Sequence, residues 1–205
     1  DVQEAPLFPD RVAYGGWPID IHPPEGIDRP DERPATAHGL NGPYSIPLRS
    51  LYSRNVVNMF MAGRDISASH VAFASTRVMG TCALMGQAAG TAAAIAALNS
   101  LPAARACLDQ PWLTQIQRRL VRDDAYLIDY DERDPADLAQ SARIEASSWV
   151  PGGEPANVTN SVTRRTKHGE NRWMSQPGFP QQLTLNWANP VPVRLVELTM
   201  DTGLH

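Results

Sequence analysis

Asp20 and His22 stand two residues apart in the apolar stretch that runs from Pro18 to His22. In an extended strand, side chains two apart share a face. A carboxylate beside an imidazole then makes either an acid/base pair or a local hydrogen bond. His70 and Arg77 add a second imidazole and a permanent positive charge. A loop histidine serves proton transfer or a structural hydrogen bond, and an arginine contacts a ligand, pairs with an acid or caps backbone carbonyls. Between these pairs an apolar run ends at Ala62-Gly63-Arg64, and just beyond Arg77 a helical pattern of small residues begins near Gly80. Gly63 lets a ligand approach the backbone. The amino end of a helix presents unpaired N–H groups carrying roughly half a positive charge, which stabilises anions and electron-rich heteroatoms.

The elements that position these groups are legible in outline. Before residue 50, strand-like pieces at Arg11 to Tyr14 and Pro18 to Ile21 are divided by Gly15-Gly16, Pro23-Pro24 and the charged Gly26 to Pro34 stretch. Asn55 to Ala62 is apolar on both faces, so it is expected to be a central strand covered on both sides. Gly80 to Leu98 reads as one long helix with Leu84, Ala88, Thr91, Ile95 and Leu98 on one stripe and Ala83, Gly86, Gly90, Ala93 and Ala97 on another. Each interior glycine costs on the order of 1 kcal/mol relative to alanine, so close packing of a sheet or a flat ligand on that face is expected. Asp109 and Pro111 begin a shorter helix whose Leu113, Ile116, Leu120 and Val121 form its packing face.

The stretch from Asn55 to Leu98, with Ala62-Gly63-Arg64, Ile66-Ser67-x-x-His70, Arg77-Val78-Met79 and Gly86-Gln87-Ala88-Ala89-Gly90-x-Ala92-Ala93-Ala94, resembles the carboxyl-terminal flavin-binding segment of the FAD-dependent oxidoreductases of the glutathione-reductase-like superclass. Tyr14 to His22 and Tyr44 to Arg49 are similar to that family's substrate-side segment, and the likeness continues through the Leu113 to Leu120 helix. The resemblance implies that Gly63, Arg64 and Asp65 lie beside the ribityl and phosphate part of FAD. It implies that the backbone of Met79, Gly80, Thr81 and Cys82 faces the pyrimidine edge of the flavin. His70 and Arg77 would lie near the ring or substrate, with His22 and Asp20 on the opposite wall. For Cys82, packing in a small-residue helix is the expected role. The family's Gly-x-Gly-x-x-Gly loop, which holds the dinucleotide diphosphate, is absent from the 205 residues. The chain begins with Asp1 and is therefore expected to be a fragment, inactive alone, of a parent whose amino-terminal FAD-binding half supplies that loop.

Seven acidic residues between Asp123 and Asp137, around Pro135, mark an expected linker over residues 126–138 between a unit at 1–125 and a second at 139–205. Asp129-x-Asp131 lacks the glycine and terminal glutamate of a calcium loop, so no metal site is expected. Beyond Leu138 the period changes to two: Ala142 to Trp149, Gln181 to Ala188 and Val193 to Met200 read as strands. Ala142 to Trp149, Pro155 to Asn160, Asn171-Arg172-Trp173 and Pro180 to Leu185 are similar to discoidin-like (coagulation factor 5/8 type C) modules. That implies a β-sandwich with loop-borne sugar or surface-ligand binding, in which Trp173 either stacks on a sugar or packs in the core.

With 18 basic and 22 acidic residues and no basic run, the chain lacks the clustered charge of a nucleic-acid binder. No charged residue falls between Arg77 and Arg105, yet the stretch is too poor in large apolar side chains to read as a membrane span. The fold class expected is α/β, the incomplete carboxyl-terminal part of a two-dinucleotide-type FAD-binding fold, followed by a partial all-β sandwich. The function expected is hydride transfer from a small-molecule alcohol or amine, carbohydrate-related substrates included, to FAD. The competing expectation is a non-catalytic carbohydrate-binding protein with a structural front half.

Overall fold

Arg11–Gly15 forms strand β1 and buries Val12 and Ala13. Three further short strands follow: β2 (Ile19–Ile21), β3 (Thr36–His38) and β4 (Tyr44–Pro47). β1 pairs antiparallel with β4 through a register irregularity between Arg11 and Ala13, and β2 pairs antiparallel with β3. Four helices come next, α1 (His70–Thr76), α2 (Met79–Leu98), α3 (Ala103–Leu108) and α4 (Gln110–Arg122). The last two strands, β5 (Arg143–Ala146) and β6 (Leu183–Asn186), form a separate antiparallel pair. This computed structural model describes residues 2–130, 134–163, 165–166 and 169–201. The chain divides into two compact units, the first ending at Tyr130.

In the first unit α2 packs against β1, α3 and α4. Ile46, Leu48, Leu51, Met85, Ile116 and Leu120 are fully buried in the shared core. α4 is amphipathic, burying Leu113, Ile116 and Leu120 as its spacing predicts, whereas Val121, expected on the same face, is only partly covered; Pro111 sits in its first turn. Asp109 occupies its N-cap position without capping it, because its carboxylate pairs with Arg105 one turn back on α3. Gln117 is also buried on this face, and its amide donates to the carbonyls of Pro9 and Arg11, at 2.9 and 3.0 Å. An apolar helix face thereby satisfies backbone acceptors at the start of β1. Leu127 and Ile128 are buried too, and Arg11 donates to the carbonyls of Ile128 and Asp129. The first residues of the acidic stretch therefore belong to this unit.

Two expectations about this unit are corrected. Asn55–Ala62 is a loop, joined to strand-like geometry only by a Tyr52–Phe60 bridge. Val57 is 71% exposed, and Ser53 Oγ accepts from the N–H groups of Asn55 and Val56. A β-prone run becomes a strand only when neighbours take up its backbone groups. Here the side-chain-capped turn takes them instead. The second correction concerns α2. Its buried stripe is Thr81, Met85, Ala88, Ala89, Ala92, Ile95 and Ala96, and a Cβ added at Gly80, Gly86 or Gly90 meets nothing within 4 Å. The glycine stripe is thus open rather than tightly packed, and Leu98 at the end of the other expected stripe is 85% exposed. By length and composition α2 would reach across a membrane; its buried face lies on protein.

The second unit holds one two-stranded pair among the described residues, not two facing sheets. Residues 193–200 form no ladder, and Val196, Leu198 and Met200 are 70–77% exposed. Among the described residues their alternation meets no partner sheet. Trp173 is half-buried and its indole N–H donates to the Ser148 carbonyl at 2.9 Å.

Gly15 and Cys107 yield two tests of the first unit. Tyr44 Oη and Ser75 Oγ lie 2.7 Å apart in the interior, and the Ser75 hydroxyl donates to the Trp17 carbonyl, so Tyr44 is the donor in the first bond. That chain fixes the Tyr44 ring over Gly15, where an added Cβ would stand 2.3 Å from Oη and 2.4 Å from Cζ. Gly15→Ala is expected to destabilise by about 1–3 kcal/mol in urea unfolding, and Tyr44→Phe does not relieve it, since Cζ remains. Burial, with a smaller contribution from Asp10, pushes the Cys107 thiol from 9.0 to about 12. The unfolded chain releases this proton first, so stability falls as pH rises through the window from about 9 to 12. The urea midpoint measured across that window is expected to fall less steeply in Cys107→Ala.

Candidate functional site

β2 carries Asp20, and His22 follows the strand by one residue with its Nε2 3.1 Å from Asp20 Oδ2, on the side that the two-residue period requires. α1 packs over that strand. The sequence reading puts His70 in a loop; it is instead the first residue of this helix, because Ser69 Oγ accepts from the Ala72 N–H at 3.3 Å and caps it. Positions i, i+3, i+4 and i+7 of a helix share a side, so His70, Phe73, Ala74 and Arg77 form one row along it.

Arg77 closes the helix and reaches β2. Its Nη2 donates to Asp20 Oδ2 at 2.8 Å and to the Asp20 carbonyl at 3.2 Å. The same Oδ2 lies 3.1 Å from His22 Nε2. An ionised carboxylate only accepts, so His22 Nε2 carries the hydrogen and Nδ1 is left with a free lone pair. Asp20 and Arg77 are mostly covered, at 25% and 29% side-chain exposure, whereas His22 is 54% exposed. The result is an imidazole aimed by a covered ion pair and open to solvent.

These groups converge on a cleft of about 220 Å³ lined by Asp20, Ile21, His22, Arg64, His70, Phe73, Ala74 and Arg77. All four acid/base candidates line it. The Arg64 guanidinium lies over the Phe73 ring, 5.6 Å from its centroid. Sequence reading passed over Phe73 and Ala74, although the helical spacing from His70 to Arg77 carries the signal that would have found them. Asp129 turns its backbone carbonyl to Arg11; Asp131, the other half of the calcium-like pair, lies outside the described residues. No group of three metal-ligating side chains occurs among the described residues.

The second cluster adjoins the first. Gly63–Asp65 forms a tight helical turn in which Gly63 has φ +63°. A Cβ at Gly63 would stand 3.6 Å from Cys82 Cβ, so this turn sits against the first turn of α2. Val78, the residue at the N-cap of α2, supplies no side-chain cap. Met79 is 88% exposed and the space over Gly80 is open, while Thr81 is buried. Cys82 Sγ faces the carbonyls of Arg77 and Thr76 at 3.4 and 3.7 Å, which ties the start of α2 to the end of α1. Asp65 is exposed and outside the cleft. Arg64 is the residue of this set that also lines it.

A family model described as FAD dependent oxidoreductase matches residues 1–120. No curated protein and no solved structure matches the chain.

The Gly63 turn depends on a left-handed backbone rather than on lack of space, since the nearest atoms to an added Cβ are at ordinary contact distance. Gly63→Val is therefore expected to cost about 1–2 kcal/mol, and Gly63→Asn distinctly less, because asparagine tolerates this region. Urea unfolding of the two variants tests the order. Equal losses would mean that contact with Cys82, and not φ, sets the requirement.

Proposed function

The chain belongs to the FAD dependent oxidoreductase family, whose cofactor is FAD, and on that premise we propose that it supplies the substrate wall and flavin-rim segment of an enzyme that oxidises an alcohol or amine carbon. The likeness of its helix and Ala-Gly-Arg turn to the glutathione-reductase-like flavoproteins belongs to the same reading. The observation that carries it is the convergence of Asp20, His22, His70 and Arg77 on one cleft beside the Gly63 turn.

The residues present fit FAD at the second cluster. The uncapped first turn of α2, with open space over Gly80, offers backbone donors and the positive end of a twenty-residue helix. Such donors suit the electron-rich rim of an isoalloxazine ring. Gly63, Asp65 and Met79–Cys82 are the residues proposed to hold it, with the diphosphate held by a Gly-x-Gly-x-x-Gly loop outside these 205 residues. Bound FAD supplies the acceptor for the hydride leaving the substrate carbon.

His22 Nδ1 accepts the proton of the substrate O–H or N–H as that carbon becomes a carbonyl or imine. Asp20 fixes the tautomer through Nε2 and faces the charge that forms on the ring. Arg77 holds Asp20 in place from the end of α1. His70, exposed at the mouth of the cleft, provides a further donor to the bound substrate. Phe73 and Ala74 give the apolar surface that excludes water from the reacting carbon.

The test uses the polypeptide as its gene encodes it. It is expected to purify with flavin absorbance and to be bleached anaerobically by members of an alcohol and amine panel. His22→Ala should slow bleaching by about 10²- to 10⁴-fold with flavin content unchanged. Absence of flavin, or an unchanged rate in His22→Ala, would reject the assignment.

A further inference from the structure

We propose that Arg64 anchors an oxyanion of the substrate, a carboxylate or phosphate-ester group, in the cleft beside His22; this rests on the reading that the cleft is the substrate side of the flavin. The lining holds two guanidiniums, Arg64 and Arg77, and one carboxylate, Asp20. Asp20 is already committed, since one of its oxygens serves both Arg77 and His22. Arg64 has no hydrogen-bond or acidic partner among the described residues; its neighbour in the chain, Asp65, lies outside the cleft. With both imidazoles neutral the lining therefore carries one uncompensated positive charge.

An exposed arginine on a convex surface is simply solvated. Arg64 differs in two respects. Its guanidinium is held over the Phe73 ring, which restricts the side chain before any ligand arrives and lowers the entropy lost on binding. It also lies in a concavity whose floor is apolar, from Ile21, Phe73 and Ala74, and whose wall carries the His22 base. A small molecule with a planar or tetrahedral oxyanion at one end and a short carbon skeleton fits that pattern: the guanidinium fork takes two oxygens, the skeleton lies on the ring, and the carbon to be oxidised faces His22. The Arg64 backbone belongs to the Gly63 turn, but its charge is turned towards the cleft rather than towards Cys82.

The 205-residue chain, titrated at low ionic strength with acetate and separately with methyl phosphate, tests this without any cofactor. Both anions are expected to shift the ring resonances of His22, His70 and Phe73 saturably, and acetamide is not. Arg64→Gln should weaken this binding by about tenfold to a hundredfold, Arg64→Lys by less, and added salt should weaken it in the native chain. The anion that binds more tightly names the acid group of the substrate. No saturable shift, or unchanged affinity in Arg64→Gln, overturns the proposal. In the polypeptide as encoded, Arg64→Gln is expected to keep its flavin; loss of flavin would assign the guanidinium to the cofactor and also overturn it. A native polypeptide without flavin that still binds the anion through Arg64 would instead sink the oxidoreductase reading and leave the anion site standing.

Discussion

The Asp20 carboxylate is the constraint on which the candidate site depends. It is the point where strand β2 and the end of helix α1 are tied together, through Arg77, and where His22 receives its orientation. A pair about a quarter exposed on each side contributes on the order of 1 kcal/mol, a modest part of the stability of a unit this size. Its importance is directional. Because one oxygen accepts from two cations or donors, moving Asp20 would release Arg77 and the imidazole together, and the cleft would lose its polar wall.

Helix α2 shows how a chain can use small residues for two purposes at once. Alanine has the highest helix propensity, which offsets the cost of Gly86 and Gly90. One side of the helix, around Met85, Ala88, Ala92 and Ile95, is pressed into the core against β1, α3 and α4. The opposite side, with its glycines, is open. The amino end emerges beside the Gly63 turn, so the rigid core face fixes the place of the exposed backbone donors at Met79 and Gly80. A scaffold built this way holds its exposed backbone still without covering it with side chains.

The two units differ in how much of their apolar surface they cover. The first closes around a core that includes fully buried Leu48, Leu51, Ile116 and Leu120. In the second, strands β5 and β6 pair but Val196, Leu198 and Met200 remain uncovered. Alternation in the last segment therefore describes a strand-like pattern whose partners are not among the described residues.

Periodicity and local chemistry alone determined α2 within one residue of its start, the packing face of α4, the strands around Val12 and Asp20, and the shared face of Asp20 and His22. Each of these follows from neighbours in the chain, through the 3.6- and two-residue repeats, and needs no knowledge of what lies across the molecule. The Ala-Gly-Arg turn and its following helix were legible in another way, as a resemblance to a family whose model matches residues 1–120. Tertiary structure decided the rest. Whether Asn55–Ala62 became a strand rested on partners for its N–H and C=O groups, which no local pattern reports. The side of α2 left open was chosen by where β1 and α4 pack. The meeting of Arg64, His70 and Arg77 with Asp20 brings together positions more than forty residues apart, because α1 lies on β2 and only that packing sets which charges share a cleft.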